Sequence, residues 1–304
     1  MIYQHPLAYL LGLEGVALLR GWAGDYDREF TLARLAEVRA LLANPALASH
    51  EGVPVGRAAA QDGYRQWAPT YDDGRNTLFD AEEPTVHEIL AGLPAGPALD
   101  AACGTGRYAE HLAALGHDVI GVDNSPDMLD RARTRVPAAR FLLGPLDALP
   151  LPDAAVDLAV CALALTHVPD LTPVFAEFAR VLRPGGSLVI SDAHPDLVLL
   201  GSVVPSPGPA GEPGLVATHP HTTGDHLRAA LAAGFQPLRC DEPRHVPEGP
   251  PRPSTTDATP GPWQDWPWTL MSTVPEATRA FGGPRGLLQT VIWHFQRGPG
   301  RPTR

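Results

Sequence analysis

The spacing of apolar residues changes near residue 84. Beyond that point, short runs of consecutive apolar residues alternate with segments in which apolar residues recur every three or four positions. The first kind of run predicts a buried strand and the second predicts an amphipathic helix. Strands that alternate with helices predict a parallel sheet with helices on both faces. The predicted strands are 97–102, 118–122, 140–143, 155–162, 187–191, 236–240 and 288–296, and the predicted helices are 84–91, 106–115, 126–136, 171–182 and 225–233.

Two further helices are predicted in residues 1–60, ahead of this pattern. The second would begin at Asp27 or Thr31. We expect its apolar stripe to pack either on the main domain or on a second copy of the chain in a homodimer. The stripe consists of Leu32, Leu35, Val38 and Leu42.

Proline is concentrated late in the chain. Residues 201–304 hold 18 of the 34 prolines, and within them 201–222 and 243–286 have an irregular pattern. Long segments of this kind in a compact domain are typical of lids and binding loops. The predicted division is an N-terminal helical extension at 1–60, a sheet core at 61–242, and a proline-rich insertion with a final strand that completes the sheet at 243–304.

The composition excludes several functions. The chain has 304 residues with a formal net charge of −11, and all 23 basic residues are arginine. The absence of lysine excludes Schiff-base chemistry, pyridoxal phosphate enzymes and a lysine-containing phosphate loop. An acidic chain also lacks the basic face that nucleic acid needs. Three widely separated cysteines and an apolar run of only 13 residues at 7–19 predict a cytoplasmic protein with no membrane partner.

A glycine-rich turn follows the first predicted strand of the core. Residues Gly104, Gly106 and Ala109 match the pattern G-x-G-x-x-G/A, which lets the backbone approach a nucleotide closely. Asp123 ends the next strand, 17 residues after Gly106, where a carboxylate can bind both ribose hydroxyls. The alternative is structural, with a tight turn and an aspartate that caps the helix beginning at Pro126. The turn and the acid together favour a cofactor site, and a nicotinamide cofactor remains open at this point.

Three more motifs narrow the choice of cofactor. Asp100 precedes the glycine turn, Asp147 follows the third strand, and Arg-Pro-Gly-Gly at 183–186 precedes the fifth strand. This set resembles the class I S-adenosylmethionine-dependent methyltransferases, in particular the branch that acts on small molecules. The resemblance covers residues 64–196 and weakly extends to 296, and Ala102 stands where that family most often has glycine.

The resemblance implies a Rossmann-like class I methyltransferase fold, which is an α/β fold with a mostly parallel seven-stranded sheet flanked by helices. In this chain an N-terminal helical extension and C-terminal lid insertions would be added to the sheet. The turn from Asp100 would lie under the methionine part of the cofactor, Asp123 would bind the ribose, and Asp147 would accept a hydrogen bond from the adenine amino group. Tyr64 and Tyr71 would close over the methionine carboxylate, unless they form a core stripe with the tryptophan between them. The full cofactor set that the resemblance implies is Tyr64, Tyr71, Asp100, Ala102, Gly104, Gly106, Asp123, Asn124, Met128, Asp147, Ala148, Leu149, Cys161 and Ala162.

Methyl transfer from a sulfonium is a direct displacement, so the enzyme must align the reactants and exclude water. An oxygen or nitrogen acceptor also needs a base, and histidine suits that role at neutral pH. His194 is our first candidate and His167 our second, because each follows a predicted strand at the carboxyl edge of the sheet. The alternative is that His167 packs on the cofactor and His194 caps its loop.

His219 and His221 are candidate lid residues that face the substrate. With His226 they form only a weak metal pattern, so we predict no metal. The sequence favours an enzyme that transfers a methyl group from S-adenosyl-L-methionine to an oxygen or nitrogen of a small-molecule acceptor. A nicotinamide-dependent oxidoreductase and a non-catalytic methyltransferase-like binding subunit are the two alternatives.

Overall fold

The computed structural model describes residues 1–74, 76–249, 253–255 and 259–299. The chain divides into two compact units. The smaller one, here called the helical unit, consists of Met1–Ala58, Asp196–Val216 and Arg244–Leu288. The larger one, here called the sheet unit, consists of Ala59–Pro195, Ala217–Pro243 and the chain from Gln289 onward.

The helices and strands of both units are numbered in chain order. The strands are β1 (Ile2–Gln4), β2 (Val53–Ala58), β3 (Pro97–Ala101), β4 (Asp118–Asp123), β5 (Arg140–Leu143), β6 (Val156–Ala162), β7 (Leu182–Ala193), β8 (Gly214–Val216), β9 (Phe235–Asp241), β10 (Arg244–His245), β11 (Leu287–Leu288) and β12 (Thr290–Arg297). The α-helices are α1 (Pro6–Trp22), α2 (Arg28–Ala43), α3 (Pro45–Ala48), α4 (Ala60–Trp67), α5 (Thr77–Ala91), α6 (Arg107–Ala114), α7 (Pro126–Arg135), α8 (Leu171–Val181), α9 (Pro195–Leu199), α10 (Thr223–Ala232), α11 (Trp268–Thr273) and α12 (Pro275–Phe281).

The sheet unit is built on a seven-stranded sheet with the order β5-β4-β3-β6-β7-β12-β9. Strands β3 to β7 pair in parallel, whereas β12 is antiparallel to both of its neighbours. The predicted mostly parallel seven-stranded α/β fold is therefore confirmed. Parallel strands place their carboxyl ends at one edge, and the residues after β3, β4, β5 and β6 meet there.

Alternating side chains along each strand serve two separate cores. In β12, Val291 and Trp293 pack with helices α8 and α10, while Ile292 between them packs with α5, α6 and α7. Such alternation follows from the two-residue period of a strand. Both faces of the sheet are therefore covered by helices, as its nearly continuous apolar strands predict.

The helical unit gathers three separate segments around one apolar cluster. Leu10, Leu13, Leu41, Leu200 and Leu270 are at most 3% exposed and pack together there. The residues at 196–216, predicted as part of the sheet core, belong instead to this unit, as do most of those at 243–288. Local composition cannot reveal this, because the contact is between apolar residues far apart in the chain. Helices α11 and α12 were not predicted, because their segment is rich in proline. Strands β1, β2 and β8 form a small sheet, although β1 and β2 lie in the predicted helical extension and β8 lies in a segment predicted as irregular.

Within this chain α2 does not pack through its predicted stripe, and packing of that stripe on a second copy stays a prediction. Leu32, Leu35 and Leu42 are between 36% and 53% exposed, whereas Arg34 and Leu41 are buried. The Arg34 guanidinium pairs with buried Glu14 on α1, with 3.2 Å between Nη1 and Oε1. This ion pair fixes the orientation of α2, and the leucine spacing alone did not predict it. Nowhere in the part of the chain that the structure describes is a helix long and apolar enough to cross a bilayer.

Candidate functional site

A cavity lies at the carboxyl edge of the sheet, inside the sheet unit. Its walls come from the glycine turn after β3, from the ends of β4 and β6, from the segment after β5, and from α4. The lining residues are Ala60, Tyr64, Tyr71, Ala102, Gly104, Asp123, Asn124, Met128, Gly144, Pro145, Leu146, Asp147, Ala162, Leu163, Ala164, His167, Val168, Pro169 and Val174.

The glycine turn uses its small residues for different purposes. Ala102 has a φ of +54°, in the left-handed region that glycine tolerates best, and this accounts for the usual glycine of the resembling family. A Cβ on Gly104 would meet no atom within 4 Å, so the turn leaves open space above it. A Cβ on Gly106 would lie 3.1 Å from the Cβ of Ala132 on α7. Gly104 therefore keeps the cavity open, while Gly106 lets two helices approach each other.

Asp123 holds the turn in place at the end of β4. Its carboxylate accepts hydrogen bonds from the backbone N–H groups of Gly104 and Ser125, each at 2.8 Å. Burial raises the pKa of Asp123, and these backbone hydrogen bonds oppose that rise. Ser125, and not Asp123, caps the helix that begins at Pro126, since its hydroxyl accepts from the Met128 N–H. Asp123 instead holds the tight turn, and its side chain also lines the cavity. Each carboxylate oxygen has a second lone pair with which it can accept a ligand hydroxyl.

Asp100 lies behind the turn and is 2% exposed. Its Oδ2 accepts no hydrogen bond from any residue that the structure describes. Burial raises the pKa of Asp100 to about 7, while a backbone hydrogen bond from Ala109 and the charge of Arg107 oppose the rise. A buried carboxyl with an unused oxygen next to a cofactor turn suits a cationic partner such as an amino group.

Tyr64 and His167 meet on the cavity wall. The Tyr64 hydroxyl lies 2.8 Å from Nε2 of His167, and Nδ1 of His167 lies 3.1 Å from the carbonyl oxygen of Ala217. Burial raises the pKa of Tyr64 well above its ordinary value. Burial also lowers the pKa of His167, against smaller opposite effects from the Ala217 carbonyl and the Asp192 carboxylate.

The aromatic residues on α4 and in the turn after it form one cluster. The ring of Tyr64 lies 6.0 Å from that of Trp67 and 6.3 Å from that of Tyr71, centroid to centroid. Burial raises the pKa of Tyr71 to about 12. The sequence left open whether these residues form an apolar core stripe or line the cofactor site. The structure has features of both, because the rings pack on one another and Tyr64 and Tyr71 also line the cavity.

Ten of the sequence-predicted site residues come together on the cavity wall. They are Tyr64, Tyr71, Ala102, Gly104, Asp123, Asn124, Met128, Asp147, Ala162 and His167. Asp100, Gly106, Leu149 and Cys161 are buried outside the lining, and Ala148 is exposed outside it. Within the described residues, the cavity wall thus includes predicted residues of the glycine turn and of the strand ends but not Cys161. Their roles in cofactor binding remain predictions.

The remaining predicted histidines lie off the cavity wall. His194 is 9% exposed, and its Nε2 is 3.7 Å from Oε1 of Glu242. Nε2 of His221 donates to the Val168 carbonyl, 2.7 Å away, and the backbone N–H of His219 donates to the Thr166 carbonyl. These two histidines therefore pack on the loop that carries His167. The roles of His194 as base and of His219 and His221 in substrate binding remain predictions, and of the two candidate bases the geometry favours His167.

Several lining residues were not predicted. Residues 144–146 lie between β5 and Asp147, and residues 163–164 and 168–169 follow β6. Their position after a parallel strand was the available signal, because such segments meet at the ligand-binding edge. Ala60 and Val174 reach the cavity only through the packing of α4 and α8, for which the local sequence holds no signal. No group of three or more metal-ligating side chains occurs within 1–74, 76–249, 253–255 and 259–299.

The sequence between β3 and β7 matches a known family model. Residues 99–190 match the model described as a methyltransferase domain. This region contains the glycine turn, Asp100, Asp123 and Asp147 of the site. It is similar to a methyltransferase domain. Class I methyltransferases use S-adenosylmethionine as the methyl donor, which disfavours the nicotinamide alternative.

Curated relatives named as methyltransferases match part of this chain. A malonyl-[acyl-carrier protein] O-methyltransferase of Serratia marcescens is 36% identical over 141 residues, which are 45% of this chain and 53% of the relative. The corresponding enzyme of Yersinia pestis is 44% identical over 93 residues, 31% of this chain and 35% of the relative. A demethylmenaquinone methyltransferase of Renibacterium salmoninarum is 33% identical over 133 residues, 42% of this chain and 56% of the relative. The match thus spans between about a third and just over half of each relative.

Solved structures share the fold at low identity. An S-adenosylmethionine-dependent methyltransferase of Mesorhizobium loti superposes with a TM-score of 0.51 and 23% identity, over 72% of this chain and all of that one. The [4+2]-cyclase SpnF superposes with a TM-score of 0.53 and 18% identity, over 81% of this chain and all of that one. The same fold therefore occurs in proteins named for different reactions, so the fold alone does not decide the activity.

Proposed function

We propose that this protein transfers a methyl group from S-adenosyl-L-methionine to an oxygen or nitrogen of a small-molecule acceptor by direct displacement. The observation that carries the proposal is the convergence of the glycine turn, Asp123 and Asp147 on one cavity within a methyltransferase domain. The curated relatives that match this region are named for methyl transfer to small or carrier-bound acceptors. We infer from the same region that the protein is an enzyme.

The residues of the cavity fit this cofactor. Open space above Gly104 can admit a nucleoside, and the carboxylate of Asp123 is held by backbone N–H groups in a position to accept ribose hydroxyls. Asp100 lies behind the glycine turn and outside the cavity lining, so its part is to anchor the turn near the methionine part. Asn124, Met128 and the exposed carboxylate of Asp147 would surround the adenine, as the resemblance implies.

When bound, S-adenosylmethionine supplies a methyl group on a sulfonium, which makes the methyl carbon electrophilic. The contribution of the chain is to position the acceptor, to exclude water and to accept a proton where the acceptor has one. The aromatic cluster around Tyr64 and Tyr71 covers the cavity and so serves to exclude water. His167 is the imidazole on the wall that can serve in proton transfer, directly or through its partner.

Binding and turnover are separate tests. Calorimetric titration with S-adenosylmethionine and S-adenosylhomocysteine is expected to give one site per chain. Incubation with S-adenosylmethionine labelled in the methyl group and a panel of hydroxyl, amine and carboxylate compounds is then expected to give a labelled product, detected by mass spectrometry. Absence of binding would contradict the proposal. Binding without transfer to any member of a broad panel would favour the non-catalytic binding subunit.

A further inference from the structure

The contact between Tyr64 and His167 fixes the tautomer of the imidazole. A carbonyl oxygen cannot donate a hydrogen bond, so Nδ1 of His167, which faces the Ala217 carbonyl at 3.1 Å, must carry the hydrogen. In a neutral ring, Nε2 then has only a lone pair. The Tyr64 hydroxyl, 2.8 Å away, must therefore donate to Nε2.

This arrangement leaves neither nitrogen of His167 open to a substrate. Nδ1 is engaged by the Ala217 carbonyl, and Nε2 is engaged by the Tyr64 hydroxyl. The Tyr64 oxygen, by contrast, donates its own hydrogen to His167 and keeps lone pairs that can accept another. Tyr64 also lines the cavity. A proton that leaves an acceptor in the cavity thus reaches His167 through Tyr64.

The charges of the cavity wall restrict the acceptor. Among the described residues, the wall carries the acidic Asp123 and Asp147 and no arginine, and only His167 can become cationic. A carboxylate acceptor would add a third negative charge to this wall, beside those of Asp123 and Asp147. At neutral pH it would also have no proton to give to the Tyr64–His167 pair.

We infer that Tyr64 and His167 form a proton relay and that the acceptor has a phenol-type hydroxyl, from which the relay takes the proton, and not a carboxylate, which has no proton to give at neutral pH. The inference rests on the proposed methyl transfer and defines its acceptor. The net proton transfer in the relay is from the acceptor hydroxyl to the His167 imidazole, and a phenol releases its proton at a lower free-energy cost than an aliphatic hydroxyl does. An aliphatic hydroxyl is a much weaker acid and is a poorer match.

The atoms balance in one step. The acceptor oxygen forms a bond to the methyl carbon while the bond from sulfur to that carbon breaks, and its electron pair stays on sulfur. The hydroxyl proton moves to the Tyr64 oxygen, and the Tyr64 proton moves to Nε2 of His167. The products are a methyl ether, a neutral thioether and an imidazolium on His167, which later loses its proton to solvent.

The surroundings of His167 support a transient positive charge. The buried Asp192 carboxylate at the end of β7 favours the imidazolium, as does the Ala217 carbonyl, while His219 and burial oppose it. Since burial is the largest effect, the resting ring is neutral at neutral pH. A neutral resting imidazole is the form that can accept a proton.

Para-substituted phenols test the relay directly. We would compare 4-methoxyphenol, which is protonated at neutral pH, with 4-nitrophenol, which ionises in that range without a base. Tyr64→Phe and His167→Gln are each expected to lower kcat for 4-methoxyphenol by ~10²–10⁴-fold and to change kcat for 4-nitrophenol by only a few-fold. The double variant should fall no further than either single variant, because the two residues act as one unit. Tyr26→Phe and His87→Gln, which remove the same groups elsewhere, should leave both rates unchanged.

Nitrogen NMR of the ligand-free protein gives a readout without turnover. His167 is expected to show the Nδ1–H tautomer, and Tyr64→Phe should raise its pKa because Nε2 loses the donor that stabilises the neutral ring. The opposite tautomer would overturn the relay.

The remaining outcomes separate the relay from the proposed function. Equal loss for both phenols in Tyr64→Phe would mean that the hydroxyl only shapes the cavity. Faster methylation of phenylacetate than of the phenols, or no methylation of any phenol by a wild-type protein that binds S-adenosylmethionine, would overturn the acceptor class. If the wild-type protein fails to bind S-adenosylmethionine in calorimetry, the proposed function itself is wrong.

Discussion

Substitution of Asp123 separates cofactor binding from the structural role of the same side chain. In the ligand-free protein its carboxylate accepts two backbone hydrogen bonds at 2.8 Å, from Gly104 and Ser125. Hydrogen bonds to a charged acceptor contribute about 1.5–3 kcal/mol each. In the proposed complex the ribose hydroxyls add two more bonds of this kind. Asp123→Ala therefore affects both the fold and the affinity, through different partners.

The affinity change follows from the ribose contacts. Loss of two such bonds amounts to about 3 kcal/mol or more, and each 1.4 kcal/mol is about tenfold in the dissociation constant. We expect Asp123→Ala to weaken S-adenosylmethionine binding by at least ~100-fold. The free energy of unfolding should fall by about 1–3 kcal/mol, because the two backbone N–H groups lose their acceptor.

Isothermal titration calorimetry and urea denaturation measure the two effects independently. Asp118→Ala is a matched control, because Asp118 lies exposed at the amino end of the same strand, away from the cavity. It should leave both quantities nearly unchanged. A folded Asp123→Ala protein that binds the cofactor within threefold of the wild type would refute the assignment of Asp123 to the ribose.

Three further outcomes are expected. Burial raises the pKa of Asp100 to about 7. Between about pH 4 and pH 7 the folded state therefore holds a proton on Asp100 that the unfolded state has lost. The free energy of unfolding should fall as the pH rises through this range, by up to about 1.4 kcal/mol per pH unit. Asp100→Asn should make that slope shallower in denaturation curves recorded at pH 5 and pH 7, and an unchanged slope would contradict the raised pKa. Gly106→Ala should lower the melting temperature more than Gly116→Ala. Both glycines have a φ of +86°, but only at Gly106 would the new Cβ lie 3.1 Å from a neighbouring atom. Equal losses in melting temperature would rule out a packing role for Gly106. A chelator should leave methyl transfer unchanged, whereas loss of activity with rescue by a divalent ion would reopen the question of His219, His221 and His226.

Much of the sheet unit was predictable because its signals are local. A buried parallel strand is a short apolar run, and the turn that follows it must contain small residues where the backbone takes a positive φ. Asp123 was found in the same way, since a strand end after a glycine turn has a fixed place in an α/β sheet. The helix predicted at 225–233 is also present, and Thr222 and Asp225 form a capping box at its start.

Local sequence signals could not decide which histidine is the candidate base. His194 and His167 both follow strands, so the sequence could not rank them. The hydrogen bond between Tyr64 and His167 joins residues 103 positions apart, and His194 lies by Glu242 instead of on the cavity wall. Which side chain reaches the cavity depends on how α4 and the 217–221 segment pack, and packing between distant segments leaves no period in the sequence.

By itself, then, the sequence determined the α/β sheet, the glycine turn and the acids at the strand ends, because strand periodicity and turn chemistry act between neighbours in the chain. Tertiary structure alone decided that 1–58, 196–216 and 244–288 form one unit. It also decided that α2 buries Arg34 and not its leucine stripe, since a buried guanidinium needs the carboxylate of Glu14, which is supplied by another helix. The direction and partners of the His167 ring were decided in the same way, by a tyrosine and a carbonyl brought from two other parts of the chain.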